Sequence, residues 1–225
     1  LFRLSTKGLP TAPSTFLPDP RRQGMRAGVI VAGGRSTRFG DSDKAVADLA
    51  GTPMVRRVAD RLGEAVDELV VNCREDQVKA IDTALSDHTL EPTFALDEDP
   101  DQGPMAGIAT GLGAVDSEYA AVVACDMPFV DPTFVDYLFE RAASHEAAVP
   151  RPDEWFQTTQ AVYHADAMHD ACQRALERGE HKIVEPLFDL EYVVVEREDV
   201  LAHTSLDTFK NLNTREEFEA AAERF

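Results

Sequence analysis

The stretch from Gly28 to Lys44, GVIVAGGRSTRFGDSDK, holds residues whose types and order could do chemistry. A short apolar run from Gly28 to Ala32 ends in Gly33 and Gly34, and a polar loop with Arg35, Arg38 and Lys44 follows. Glycines let backbone N–H groups approach an anion closely, because no side chain intervenes. The three cations add charge for phosphate oxygens. A buried strand that empties into such a loop puts an anion site at the carboxyl edge of a sheet, where open α/β folds bind ligands. The spacing excludes two common phosphate loops. A P-loop needs Gly, four residues, then Gly-Lys-Ser/Thr, and here Phe39 stands five positions after Gly34. The dinucleotide fingerprint needs a second glycine where Arg35 and Ser36 stand.

Four further places carry candidate groups. Asp126 follows the continuous apolar run from Tyr119 to Cys125, so its carboxylate lies at the same sheet edge as Gly33. Magnesium takes oxygen ligands, commonly one or two carboxylates plus substrate phosphates. Asn72 closes the run Val70-Val71-Asn72 and offers a donor and an acceptor at that edge. Asp97, Glu98, Asp99 and Asp101 form an acidic loop, which alone reads as solvated. Gly-Pro-Met-Ala-Gly after it opens a helix whose first amides can face an anion or a base. In the tail, Thr214 and Glu217 make a capping box, which leaves Asn211 and Asn213 unexplained.

The elements that must position these groups alternate. Strands are expected over residues 27–32, 67–72, 92–96, 119–125, 147–150, 156–163 and 192–196. Helices are expected over 53–66, 75–85, 105–115, 131–144, 166–178 and 214–224. Pro53, Pro104 and Pro132 stand at or just before helix starts, and Asp131 is a ready cap. Such alternation predicts an α/β protein: a three-layer α/β/α sandwich on a Rossmann-like, mostly parallel sheet. Residues 1–24 differ in kind. They hold four prolines and carry +3 (Arg3, Lys7, Arg21 and Arg22 against Asp19), so the remainder carries −22 of the total −19. They read as a disordered leader outside the native domain, with Met25 as the true start and residues 25–225 as a single domain.

The 225 residues include 41 acidic and 22 basic ones, of which 17 are arginine and five lysine. An acidic, lysine-poor surface suits concentrated, halophilic salt, since at ~1 M the Debye length is only ~3 Å. The same balance argues against nucleic acid as a partner. No apolar run approaches the ~18 residues of a membrane span. The three cysteines, Cys73, Cys125 and Cys172, are odd in number and widely spaced, which fits a reducing cytoplasm. Cys125 reads as a small strand-end residue rather than a nucleophile. The six histidines show no metal-ligand spacing.

The whole pattern, Gly-Gly-x-Ser-x-Arg-Phe-Gly, a short gap, then Asp43-Lys44, resembles that of nucleotidyltransferases that take a nucleoside triphosphate and release pyrophosphate. More narrowly, it is similar to the MobA-like molybdenum cofactor guanylyltransferase family. The resemblance runs from Met25 to the C-terminus and implies a fold of the nucleotide-diphospho-sugar transferase type. It implies transfer of GMP from Mg-GTP to the terminal phosphate of molybdopterin, or of molybdenum-molybdopterin. It gives Lys44, Arg38 and Asp126 catalytic roles, and places Val31, Ala32, Gly33, Gly34, Lys44, Asn72, Asp97 and Asp126 around the nucleotide. It gives Asp126 and Asn213 to Mg2+. Lys182 and Gln160 fall to the acceptor site, which Trp155–Tyr163 and Gly179–Lys182 should flank, though Thr158 and Thr159 replace the proline and leucine often seen there. Transient contact with other cofactor-biosynthesis proteins is a further expectation. The alternatives are a CTP-dependent molybdopterin cytidylyltransferase, a cobalamin-pathway guanylyltransferase, and a non-catalytic GTP-binding protein. Asp43-Lys44-Ala45 favours the guanylyl branch over relatives with proline beside the lysine.

Overall fold

Seven strands form one sheet in the order β5-β4-β1-β6-β8-β7-β9 in the computed structural model, which describes residues 24–34, 43–97 and 102–225. The strands are β1 (Arg26–Val31), β4 (Glu68–Cys73), β5 (Thr93–Leu96), β6 (Tyr119–Ala124), β7 (Ala147–Arg151), β8 (Gln160–His164) and β9 (Tyr192–Glu196). Only β8 runs against its neighbours, so the sheet is mostly parallel, as expected. Two short strands, β2 (Asp48–Leu49) and β3 (Thr52–Pro53), make a separate hairpin.

Side chains alternate across each strand, so each sheet face builds its own core. Ile30, Val71 and Val123 pack on one face against α1 (Met54–Leu62), α2 (Val78–Leu85) and α4 (Pro132–Ala142). Val29, Val70 and Val122 pack on the other against α3 (Pro104–Gly113) and α5 (Ala165–Glu177). Two further helices, α6 (Val184–Leu187) and α7 (Arg197–His203), flank β9 in sequence. The last helix, α8 (Arg215–Ala222), meets the hairpin in a third small cluster of Leu49, Met54, Phe129, Leu212 and Ala221. The three layers are those the alternation predicts.

The chain leaves β1 toward β4 and β5, then crosses back to place β6 on the other flank of β1. This reversal opens a crevice between the carboxyl ends of β1 and β6, the usual ligand position in such sheets. Gly33 and Gly34 follow β1 there, and Asp126 follows β6. Four expectations lie outside the described residues: Arg35, Arg38, the acidic residues Glu98, Asp99 and Asp101 after Asp97, and the leader up to residue 23. Among the described residues, no helix is long and apolar enough to cross a membrane.

Candidate active site

At this crevice the structure joins three residues from distant parts of the chain. Lys44 opens a short 3-10 turn, Lys44–Val46, whose cap is Asp43, with Oδ1 accepting from the Ala45 amide at 3.0 Å. The Lys44 side chain runs inward until only 9% of the residue is exposed. Its ammonium donates to Asp126 Oδ2 at 2.8 Å and to Asn213 Oδ1 at 3.1 Å. Asn213 is brought over the sheet edge by its neighbours. The Leu212 amide donates to the Asp126 carbonyl at 3.0 Å, and the Leu212 side chain is fully buried. Glu217 then accepts from the amides of Asn213 and Thr214 at 2.7 and 2.9 Å, and Thr214 Oγ1 accepts from Glu217 N at 3.1 Å. The capping box read from the sequence thus also fixes the backbone that carries Asn213. These amide donors hold the Glu217 carboxyl below its usual range.

Asp126 Oδ1 is buried and has no partner in the structure described. A buried acceptor left without a donor costs ~1–3 kcal/mol, so this oxygen is poised for a cation. No group of three His, Cys, Asp or Glu that could hold a metal occurs among the described residues. One carboxylate and one amide oxygen nevertheless suit a magnesium ion that takes its remaining ligands from water and substrate phosphates. Asp126 and Asn213 therefore fit that ion.

A second cluster stands on the other side of β1. Asn72 is fully buried; its Nδ2 donates to the Ala95 carbonyl at 3.2 Å and to Asp97 Oδ1 at 2.7 Å. Its Oδ1 is a second buried oxygen with no partner among the described residues. A Cβ at Gly107 would stand 2.5 Å from that oxygen, and one at Gly33 would run into Asp97 Oδ2. Glycine at both positions lets the backbone pack closely against these polar atoms. Val31 and Ala32 form the strand end beside it, with the Ala32 amide donating to the Asn72 carbonyl at 2.8 Å.

Two residues that the sequence did not single out complete the crevice. Arg74 Nη1 donates to the carbonyls of Gly33 and Gly34 at 3.0 and 3.3 Å. Gln77 Nε2 donates to the Ala32 carbonyl at 3.1 Å and to Asp43 Oδ2 at 2.6 Å. Both lie at the start of the helical segment after β4, where the acidic pair Glu75 and Asp76 reads only as a helix opening.

The model of the MobA-like NTP transferase domain matches residues 28–200, more than half of the chain. The chain belongs to the MobA-like NTP transferase family. A relative from Natronomonas pharaonis, named probable molybdenum cofactor guanylyltransferase, is 56% identical over 201 residues, covering 89% of this chain and 98% of that protein. One from Serratia proteamaculans, named molybdenum cofactor guanylyltransferase, is 31% identical over 84% of this chain and 90% of its own length. Among solved structures, molybdopterin-guanine dinucleotide biosynthesis protein A from Archaeoglobus fulgidus superposes with TM-score 0.72 at 26% identity, covering 88% of this chain and 97% of that one. A cytidylyltransferase for 2-C-methyl-D-erythritol 4-phosphate from Thermus thermophilus shares the fold, with TM-score 0.66 at 16% identity, covering 89% and 98%.

In this MobA-like domain the two remaining expected residues sit differently. Lys182 is exposed just before α6, and its amide donates to Glu185 Oε2 at 3.0 Å. Gln160 opens β8, 1% exposed, with Nε2 donating to Thr208 Oγ1 at 2.6 Å and Oε1 without a partner in the structure described. Cys125 is half-buried beside Asp126. Burial, and then the Asp126 charge, push its thiol well above the ordinary range, so it carries its proton at neutral pH. Cys125→Ala is expected to leave turnover near wild type, and iodoacetamide at pH 7 to inactivate the protein only slowly. Burial also pushes Cys73 and Cys172 up to about 12, from an ordinary 9.0. The unfolded chain sheds those protons first as pH rises. Their contribution to stability is thus complete below pH 9 and is lost as pH climbs from there toward 12. Denaturation midpoints measured across that range check the sign.

Proposed function

We propose that this chain transfers GMP from GTP to the terminal phosphate of molybdopterin, or its molybdenum-loaded form, and releases pyrophosphate. The observation that carries this reading is the meeting of Lys44, Asp126 and Asn213 at the sheet edge where β1 runs out into Gly33 and Gly34. The acceptor phosphate is already an anion, so no general base is needed. Its oxygen attacks the α-phosphorus and forms the new P–O–P bond. The bond from that phosphorus to the oxygen bridging the β-phosphate breaks, and pyrophosphate leaves with the electron pair. What remains for the protein is alignment and charge. The Gly33 and Gly34 amides, Lys44 and Arg38 hold the triphosphate. Asp126 and Asn213 hold magnesium, which supplies charge neutralisation at the phosphates. Lys182 offers charge to the acceptor phosphate, and Gln160 lies within the acceptor segment 155–163.

The choice of base has its own support. The Asp97 carboxylate, held by Asn72 Nδ2, is a partly exposed acceptor at the sheet edge, next to Gly33. Guanine presents neighbouring imino and amino N–H groups, two donors side by side, whereas cytosine presents one amino group beside an acceptor nitrogen. A carboxylate, with two acceptor oxygens, therefore fits guanine better. An acidic surface suited to concentrated salt and three unbridged thiols accord with work in the cytoplasm.

The test is a panel of GTP, CTP and ATP with molybdopterin and magnesium, read as pyrophosphate release and dinucleotide formed. GTP alone is expected to turn over. Preference for CTP would assign the cytidylyl reaction. Turnover only with a cobalamin-type acceptor would move the chain to that pathway, and tight GTP binding without pyrophosphate would make it a non-catalytic binder.

A further inference from the structure

The glycine loop has an unequal division of its polar groups. Its carbonyls are taken: Ala32 O by Gln77, and Gly33 O and Gly34 O by Arg74. Its amides are not. The N–H groups of Gly33 and Gly34 have no acceptor in the structure described. A trans peptide is planar, with its C=O and N–H pointing in opposite directions. The Ala32–Gly33 peptide is thus pinned through its carbonyl by Gln77, so the Gly33 N–H points away from Gln77. The Gly33–Gly34 peptide is pinned through its carbonyl by Arg74, so the Gly34 N–H points away from Arg74. Glycine by itself would leave both planes free to turn, because it populates both signs of φ.

We propose that Arg74 and Gln77 are positioning residues that orient the Gly33 and Gly34 amides as the donors of the triphosphate site. The assignment rests on the nucleotidyl-transfer reading of the crevice. Arg74 does this as an orienter and not as a phosphate ligand, because its guanidinium is already committed. Nε donates to Asp76 Oδ1 at 3.0 Å, Nη2 to Asp76 Oδ2 at 3.4 Å, and Nη1 to the two loop carbonyls. Asp43 Oδ2 stands 3.8 Å from Nη2, so two carboxylates offset its charge. Gln77 adds a mechanical link. It is 2% exposed, and one amide group ties the start of the loop at Ala32 to its end at Asp43, the cap beneath Lys44. Its Oε1 accepts from the Arg74 amide at 2.9 Å, so the two residues form one brace. Pre-oriented amides need no rearrangement when the phosphate arrives, which is where such donors gain their effect.

The experiment uses full-length protein labelled with 15N-glycine and titrated with inorganic tripolyphosphate, following the Gly33 and Gly34 amide resonances. In the wild type both should move downfield and saturate. In Arg74→Met and Gln77→Leu the binding should weaken about 10–100-fold, the scale seen when an outer supporting contact is lost. Arg74→Lys keeps the charge, but one ammonium cannot hold two carbonyls while bridging Asp76. It should therefore also weaken binding, and it serves as a second variant should Arg74→Met not fold. Wild-type affinity and shifts in a folded Arg74→Lys and Gln77→Leu would overturn the proposal. Absence of any Gly33 or Gly34 shift in the wild type would instead overturn the phosphate reading of the crevice, and this proposal with it.

Discussion

Replacing Lys44 with alanine should lower turnover by about 10²–10³-fold, the scale for losing one pre-organised charge contact in an active site. Among the described residues the ammonium is the cation paired with Asp126, and it is held from two sides by Asp126 and Asn213. In the absence of nucleotide it offsets the Asp126 charge. A triphosphate entering the crevice offers the ammonium a far denser negative charge at the same place. Without Lys44, the Asp126 carboxylate faces the phosphates uncompensated, and the transferred group loses both a donor and its alignment. The fold should survive, because the two main cores lie on the sheet faces while the pair sits at the edge, with side chains 11% and 19% exposed. Turnover at fixed nucleotide and magnesium, with a melting curve for each protein, measures both parts. The pair should also be strongly coupled. The double variant Lys44→Ala with Asp126→Asn should lose little more than the worse single one, as residues acting as a unit do. Near wild-type turnover in a folded Lys44→Ala would remove this lysine from the mechanism.

How much of this was legible in the sequence depends on what each feature rests on. Buried parallel strands are continuous apolar runs, and so β1, β4 and β6 are found within a residue or so of their expected places. Asp126 could be read because a carboxylate after a central strand must lie at the ligand edge, whatever its contacts. The meeting with Lys44 and Asn213 could not, since those residues stand 82 and 169 positions apart from Asp126 and Lys44 respectively. The family pattern supplied that association, and the backbone bond from Leu212 to Asp126 realises it. The expected strand over 156–163 shortens to Gln160–His164, because the Gln157 amide turns back to Pro150 and leaves the ladder. The hairpin of β2 and β3 escaped because each strand is two residues long, below any period. Its turn takes Ala50 at φ 52° and Gly51 at φ 82°, of which only the glycine leaves a mark in the sequence. Helices α6 and α7 span four and seven residues, too few for an apolar stripe to repeat. Arg74 and Gln77 were invisible for a different reason. They act on backbone carbonyls, which every residue has, so no pairing of side-chain types announces them.

Asp126→Asn is the sharper probe of the metal. The change keeps the shape and removes the charge, so the variant should fold while losing most magnesium-dependent transfer, again by about 10²-fold or more. Two oxygens are at stake. Oδ2 pairs with Lys44, and Oδ1 is buried with no partner in the structure described. An asparagine amide can supply one neutral oxygen at most, and its NH₂ group would stand where a cation is wanted. Much more magnesium should be needed to reach half-maximal rate. Metal-free GTP binding should follow the opposite logic. The carboxylate repels a bare triphosphate and becomes favourable only with a divalent ion between them. Removing it, and releasing Lys44 from its ion pair, should leave metal-free binding unchanged or tighter. Rate against magnesium in one titration, and GTP against metal-free protein in another, separate the two effects. Both halves must hold together, since general damage to the crevice would weaken metal-free binding as well. An unaltered magnesium dependence would exclude Asp126 as the ligand and leave Asp97 and Asn213 as the oxygens to test next.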